Sequence, residues 1–112
     1  MADAVRTFQR VAVIGAGAWG TTLARLLADT GLHVSLWAYE REVVEAIRHK
    51  HENTLFLPGV RLPTSLSPTI SLGEALQDRE LLVFAVPSHA ARAVLRQIGP
   101  LLSNLEDFLT SR

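Results

Sequence analysis

The chain is predicted to be an α/β protein of the Rossmann type, a doubly wound parallel sheet with helices on both faces. Three observations predict it. Apolar, β-branched runs alternate with helically patterned segments, the order that builds parallel sheets with right-handed crossovers. The run Arg10–Ile14 passes directly into Gly15-Ala-Gly-Ala-Trp-Gly20, a G-x-G-x-x-G spacing set between a strand and a helix. A second strand pattern, His33–Ala38, follows after a helix of the length that one βαβ unit needs.

Each element has its own signal. The first strand, 10–15, is continuously apolar from Val11 to Ile14, as a strand buried on both faces should be. Gly15 permits the tight turn off that strand. Gly17 lacks a side chain, so a pyrophosphate can approach the backbone, and Gly20 lets the helix lie close to the strand. The helix 18–30 carries Leu23, Leu26 and Leu27 at helical spacing and ends at Thr30-Gly31, with Gly31 a suitable C′ residue. Its unpaired N–H groups and positive dipole end face the glycine turn. A strand at 33–38 and a helix at 40–51 come next. The loop Asn53–Pro63 contains two prolines and a Pro-Gly turn signal. A short strand is expected at Thr69–Ser71 and a helix at Leu72–Gln77. Glu80–Val86 reads as another buried strand, stopped by Pro87, and Ser88–Ile98 as a helix with Ser88 at the N-cap. The sheet order expected of this topology places strand 10–15 between 33–38 and 81–86.

The last residues fit this scheme poorly. Such a fold continues with an apolar strand, but Leu101, Leu105, Phe108 and Leu109 have helical spacing, and Ser103 with Glu106 has capping-box spacing. The division expected is a dinucleotide-binding domain over 1–102 and a tail over 103–112, either a short helix or an end without fixed structure.

Composition narrows the function. The 112 residues suffice for one domain with a real core. Hydrophobic content of 48% and charged content of 20% are ordinary for a soluble globular chain. Eleven acidic and eleven basic residues cancel, so no attraction to nucleic acid or to a membrane surface is implied. The absence of cysteine excludes disulfides, thiolate metal sites and thiol nucleophiles. No apolar run reaches the length of a membrane span, and Met1–Gln9 lacks the apolar core of a signal peptide, so a cytoplasmic protein is expected.

Beyond the glycines, three regions are candidates for ligand contact. Glu40 falls about 20 positions past Gly20, where dinucleotide sites place an acid on the ribose 2′-OH. Tyr39 is placed to stack on an adenine, and Arg41 to hold a 2′-phosphate. The alternative is that all three form the solvated first turn of a helix, with Glu40 favouring the dipole. Their mixed charges leave NAD against NADP open. Trp19 interrupts the glycine turn with a bulky ring, either buried against the next strand or forming a wall beside the pyrophosphate or nicotinamide. Val86-Pro87-Ser88-His89-Ala90 sits at the C-terminal end of a predicted strand, the edge at which open α/β sheets bind ligands. Pro87 and Ser88 equally suit a strand stop and a helix cap. His49 and His51 are two apart on a predicted helix and do not share a face, so no metal site is expected. Arg6, Arg10, Arg92 and Arg96 are scattered, as on solvated faces.

Taken together, these segments resemble bacterial NAD(P)-dependent glycerol-3-phosphate dehydrogenase. The matching pieces are Val13-Ile-Gly-Ala-Gly-Ala-Trp-Gly-Thr-Thr-Leu-Ala24, Leu36-Trp-Ala-Tyr39, Asn53-Thr-Leu-Phe-Leu-Pro-Gly59, Leu72-Gly-Glu-Ala-Leu76 and Val86-Pro-Ser-His-Ala90, spanning roughly residues 10–102. The Asn-x-x-Phe-Leu-Pro-Gly loop discriminates, because nucleotide-binding folds in general do not need it. The candidate cofactor contacts are Gly15, Gly17, Ala18, Trp19, Gly20, Tyr39, Glu40, Arg41, Val86 and Pro87, and by the resemblance Trp19 and the position of Tyr39 fall on cofactor-binding sites. Ala18 stands where the family usually has serine, which removes one side-chain contact to the phosphates and leaves the backbone contacts. Tyr39 stands where many members have Arg or His.

The resemblance also implies hydride exchange between NAD(P)H and dihydroxyacetone phosphate, giving sn-glycerol 3-phosphate for phospholipid synthesis, with a possible homodimer in the full-length family. The family's substrate and proton-transfer lysines lie in a later Lys-Gly strand and a C-terminal helical domain. The one lysine here, Lys50, matches neither, so no catalytic residue is carried over. The chain is therefore expected to be a fragment or truncated product, lacking the helical substrate domain and inactive by itself. The alternatives are a non-catalytic nucleotide-binding module or part of another Rossmann dehydrogenase or reductase.

Overall fold

In the computed structural model, the structure describes residues 9–102. The expectations for Arg6 and for the tail 103–112 lie outside those residues. Four strands form one parallel sheet in the order β3-β2-β1-β4. The strands are β1 (Arg10–Ile14), β2 (His33–Trp37), β3 (Leu66–Thr69) and β4 (Leu81–Phe84). The helices are α1 (Ala18–Asp29), α2 (Arg41–Lys50), α3 (Leu72–Leu76) and α4 (Ser88–Ile98), and a 3-10 turn follows at Gly99–Leu102. The first strand lies between β2 and β4, as the expected order requires.

The alternation of side chains along β1 divides the core in two. Val11 and Val13 point to one face, where they meet Ala24 and Ala28 of α1 and Val43, Val44 and Ile47 of α2. Ala12 and Ile14 point to the other, against Leu72 and Ala75 of α3 and Val94 and Ile98 of α4. Val11, Ala12, Val13 and Ile14 are all fully buried, which is why this strand lacks the alternating polar pattern of a one-sided sheet. Burying both faces makes the sheet doubly wound.

The helix α1 meets the sheet through small residues. Its buried positions are Gly20, Thr21, Ala24 and Ala28, whereas Leu26 is exposed and Leu23 and Leu27 are half-buried. The leucines marked the helical period but lie at the margin of its inner face, Leu27 packing against the core while half-buried. At its end the Gly31 N–H donates to the Ala28 carbonyl (3.0 Å) with φ at 101°, the left-handed C′ geometry that favours glycine. In α2, Glu42 stands in the first turn and Arg48, His49 and Lys50 in the last, matching the dipole at both ends.

Several boundaries differ from the sequence expectation. The third strand runs over Leu66–Thr69 rather than Thr69–Ser71. Pro68 argues against a central strand, but β3 lies at the sheet edge, where a missing N–H is tolerated. Ser71 is instead the N-cap of α3, its Oγ accepting from the Glu74 N–H at 3.1 Å. The helix expected over 40–51 is bounded by Glu40 as N-cap and His51 as a left-handed C-cap. Ser88 is not an N-cap. The Ala90 N–H donates to the carbonyl of Pro87, so Ser88 is the first residue within the helix and Pro87 takes the cap position without a side-chain bond. The strand expected over 80–86 is shorter and less buried. Among the described residues β4 pairs with β1 alone, leaving its outer edge open and Leu81 and Phe84 partly exposed.

Candidate functional site

The C-terminal ends of β1, β2 and β4 converge on one cleft, and backbone hydrogen bonds hold its floor. The Gly15 N–H donates to the Trp37 carbonyl (3.0 Å), tying the glycine turn to β2, and the Ala85 N–H donates to the Ile14 carbonyl (2.8 Å), tying the end of β4 to β1. Above this floor opens a cleft of about 470 Å³, within the range of small-molecule and cofactor sites.

The glycines now have distinct geometry. Gly15 has φ at 119°, and a Cβ there would sit 2.6 Å from the Ala85 carbonyl oxygen, so the position excludes a side chain by conformation and by space. A Cβ at Gly20 would overlap the Gly15 carbonyl, so this glycine lets the first turn of α1 press onto the loop before it. Gly17 differs from both, because a Cβ there would meet nothing within 4 Å and would project into open space. Gly17 is the N-cap of α1. No side chain caps this helix, and its first turn carries no acid. The first N–H groups of α1 thus face the cleft end without a side-chain partner, ready for an anion.

Of the candidate residues, Gly15, Gly17, Ala18, Trp19, Gly20, Tyr39, Glu40, Val86 and Pro87 line the cleft, together with His89 and Ala90. Arg41 does not. Trp19 is 67% exposed, which removes the reading that buries it against a strand. Tyr39 is 65% exposed and leans on the Trp37 ring, their centroids 5.4 Å apart. Trp37 is itself buried, its indole N–H donating to the Ile70 carbonyl at 2.9 Å. The walls are thus largely aromatic and aliphatic, with the Glu40 carboxylate at the end of β2.

Sequence reasoning gave no contact role to four lining residues, Ala16, Ala85 and the two aromatics Trp37 and Phe56. Trp37 reads from sequence as strand core. Phe56 belongs to the loop at 53–59, whose specificity was visible in sequence but whose position was not. The structure folds this loop against the glycine turn through Asn53, a fully buried side chain that donates from Nδ2 to the Ala16 carbonyl (2.9 Å) and to Thr21 Oγ1 (2.9 Å). Its Oδ1 accepts from the Phe56 N–H at 3.1 Å. His49 contacts Glu45 at 3.0 Å, and no group of three metal-ligating side chains occurs among the described residues. Lys50 ends α2 and is not a lining residue. Among the described residues, no helix is long and apolar enough to cross a membrane.

Comparison with known proteins bears on the same region. Residues 10–110 match the family model described as NAD-dependent glycerol-3-phosphate dehydrogenase N-terminus. The NAD(P)+ glycerol-3-phosphate dehydrogenase of Geobacter sulfurreducens is 55% identical over 94 residues, which cover 84% of this chain and 28% of that protein. The Bacillus subtilis protein of the same name is 40% identical over 101 residues, covering 90% of this chain and 29% of its own length. In structure, the chain superposes on glycerol-3-phosphate dehydrogenase from Coxiella burnetii with a TM-score of 0.79 at 34% identity, covering 83% of this chain and 29% of that one. The chain therefore spans less than a third of the length of these relatives.

Proposed function

This chain belongs to the family of NAD-dependent glycerol-3-phosphate dehydrogenase N-termini, and we propose from that premise that its cleft binds NAD(H) or NADP(H). In the complete enzyme this binding would serve reversible hydride exchange with dihydroxyacetone phosphate. The observation that carries the reading is the N-terminus of α1, uncapped and free of acids, opening beside Gly17 into a cleft with aromatic walls. An anion satisfies those N–H groups and the dipole, while flat rings match the two heterocycles of a dinucleotide. These features fit the group independently of any relative's name.

The residues divide the work by position. Backbone N–H groups of the α1 first turn take the pyrophosphate, approached across Gly17. Glu40, at the end of β2, accepts from a ribose hydroxyl. Tyr39 flanks the adenine side, and Trp19, Phe56, Val86 and Pro87 exclude water along the rest of the cleft. Glu40 lines the cleft and Arg41, exposed beside it, does not, so the reading favours NAD(H). When bound, the cofactor supplies the hydride. None of the cleft's lining residues is a lysine, and we assign the chain no proton-transfer residue. The dinucleotide-binding unit is read as running to residue 102. A role in phospholipid synthesis, a cytoplasmic setting and homodimeric assembly go with this reading of the complete enzyme.

The test uses the chain's own reporters. Both tryptophans, Trp19 and Trp37, line the cleft, and reduced nicotinamide absorbs where indole emits. Titration with NADH should quench indole emission saturably and sensitise nicotinamide fluorescence. A linear, non-saturating loss of emission would refute the reading.

A further inference from the structure

Asn53 is the one fully buried amide side chain of the described core, and its two ends reach two residues that line the cleft, Ala16 and Phe56. Its Nδ2 faces two oxygens, the Ala16 carbonyl and Thr21 Oγ1. The Thr21 hydroxyl in turn donates to the same Ala16 carbonyl at 3.2 Å. Its Oδ1 faces one donor, the Phe56 N–H, and its main-chain carbonyl accepts from the Leu57 N–H at 2.9 Å. This pattern fixes the orientation of the amide, since a flip would set its oxygen against the Ala16 carbonyl.

No other side chain of this size serves these partners. Aspartate would place a buried carboxylate against a carbonyl oxygen. Leucine would strip the Phe56 N–H of its acceptor and leave the Ala16 carbonyl and Thr21 Oγ1 only each other in a buried site. Ala16 belongs to the glycine turn and Phe56 to the facing loop, and both line the cleft. The bonds therefore join two walls of one site that are far apart in sequence.

We propose that Asn53 is a positioning residue of this site: it locks the Phe56 loop to the glycine turn, so that the aromatic wall and the anion-facing end of α1 stand in one relation before the ligand arrives. The inference rests on the reading of the cleft as a dinucleotide site and extends it to a residue that need not touch the ligand. Pre-setting both walls removes an ordering cost from binding.

A double-mutant cycle tests it on the 112-residue chain. NADH is titrated into the wild type, Asn53→Ala, Phe56→Ala and the double variant, following indole quenching. Circular dichroism and urea midpoints verify that each is folded at the assay temperature. Asn53→Ala should weaken NADH binding about ten-fold, the loss equivalent to one net hydrogen bond. In the double variant, Phe56→Ala should add little, because the ring has already lost its station. A general loss of stability would not produce that coupling. Wild-type affinity in Asn53→Ala, or losses that multiply in the double variant, would overturn the inference while leaving the reading of the cleft intact. Absence of NADH binding by the wild type would overturn both. Should Asn53→Ala fail to fold, Thr21→Val carries the test by removing one acceptor and keeping the side-chain shape. It should weaken binding about three-fold and couple to Phe56→Ala, and wild-type affinity or additive losses there would overturn the inference equally.

Discussion

Replacing Gly17 with valine separates folding from binding in the glycine turn. The backbone at Gly17 has φ −71° and ψ −172°, extended geometry that valine adopts without strain. A Cβ there meets nothing within 4 Å. The folding cost is then limited to the N-cap preference, at most about 1 kcal/mol. For a domain of this size that lowers Tm by about 4–8 °C. Binding should respond quite differently, because the valine methyls enter the space through which a pyrophosphate reaches the α1 N–H groups. Two charge-assisted hydrogen bonds lost at about 1.5 kcal/mol or more each amount to about 3 kcal/mol. The expected rise in Kd is therefore on the order of 100-fold. Calorimetric titration of both proteins with NADH measures it, after thermal unfolding by circular dichroism has set a temperature at which both are folded. Equal affinity would mean that Gly17 serves the turn alone, and the pyrophosphate assignment would fall.

Gly20→Ala should do the reverse and destabilise the fold by about 1–3 kcal/mol or more, because its Cβ would overlap the backbone carbonyl of Gly15. An unchanged denaturant midpoint would contradict this packing. NADH should bind about ten-fold more tightly than NADPH, since a 2′-phosphate would face the Glu40 carboxylate with Arg41 outside the cleft. Glu40→Gln should narrow that gap in parallel titrations, and equal wild-type affinities would dismiss Glu40 as the discriminating residue. Leu36→Ala, at a fully buried position of β2, should cost about 2–5 kcal/mol. Leu26→Ala, at an exposed position of α1, should change stability by no more than about 0.5 kcal/mol, and urea unfolding of the two variants checks the contrast.

The order of elements, the parallel topology and the place of the glycine turn were legible in the residues themselves. Continuous apolar runs, helical spacing and punctuating glycines are local signals, and right-handed crossovers leave few ways to assemble them. The central position of Val11–Ile14 followed from its uninterrupted apolar character, because a strand covered on both faces favours apolar residues at every position. Family membership was legible too, through the loop at 53–59.

Tertiary contacts decided the rest. Whether Pro68 could lie in a strand depended on β3 being an edge, and whether Glu80–Val86 was buried depended on what pairs with β4. Neither is written in the segment concerned. The leucines of α1 have the period of a buried face, yet the fully buried positions against the sheet are Gly20, Thr21, Ala24 and Ala28, with Leu27 at the margin. Tyr39, Glu40 and Arg41 are adjacent in sequence, but the start of α2 divides them, leaving the first two on the cleft and the third off it. Phe56 and Asn53 entered the site through hydrogen bonds to Ala16 and Thr21, more than thirty residues earlier in the chain. Local pattern reports what a segment can form. Which face it buries and which distant group it meets are properties of the packed whole, since burial and hydrogen-bond pairing are settled by neighbours the segment does not contain.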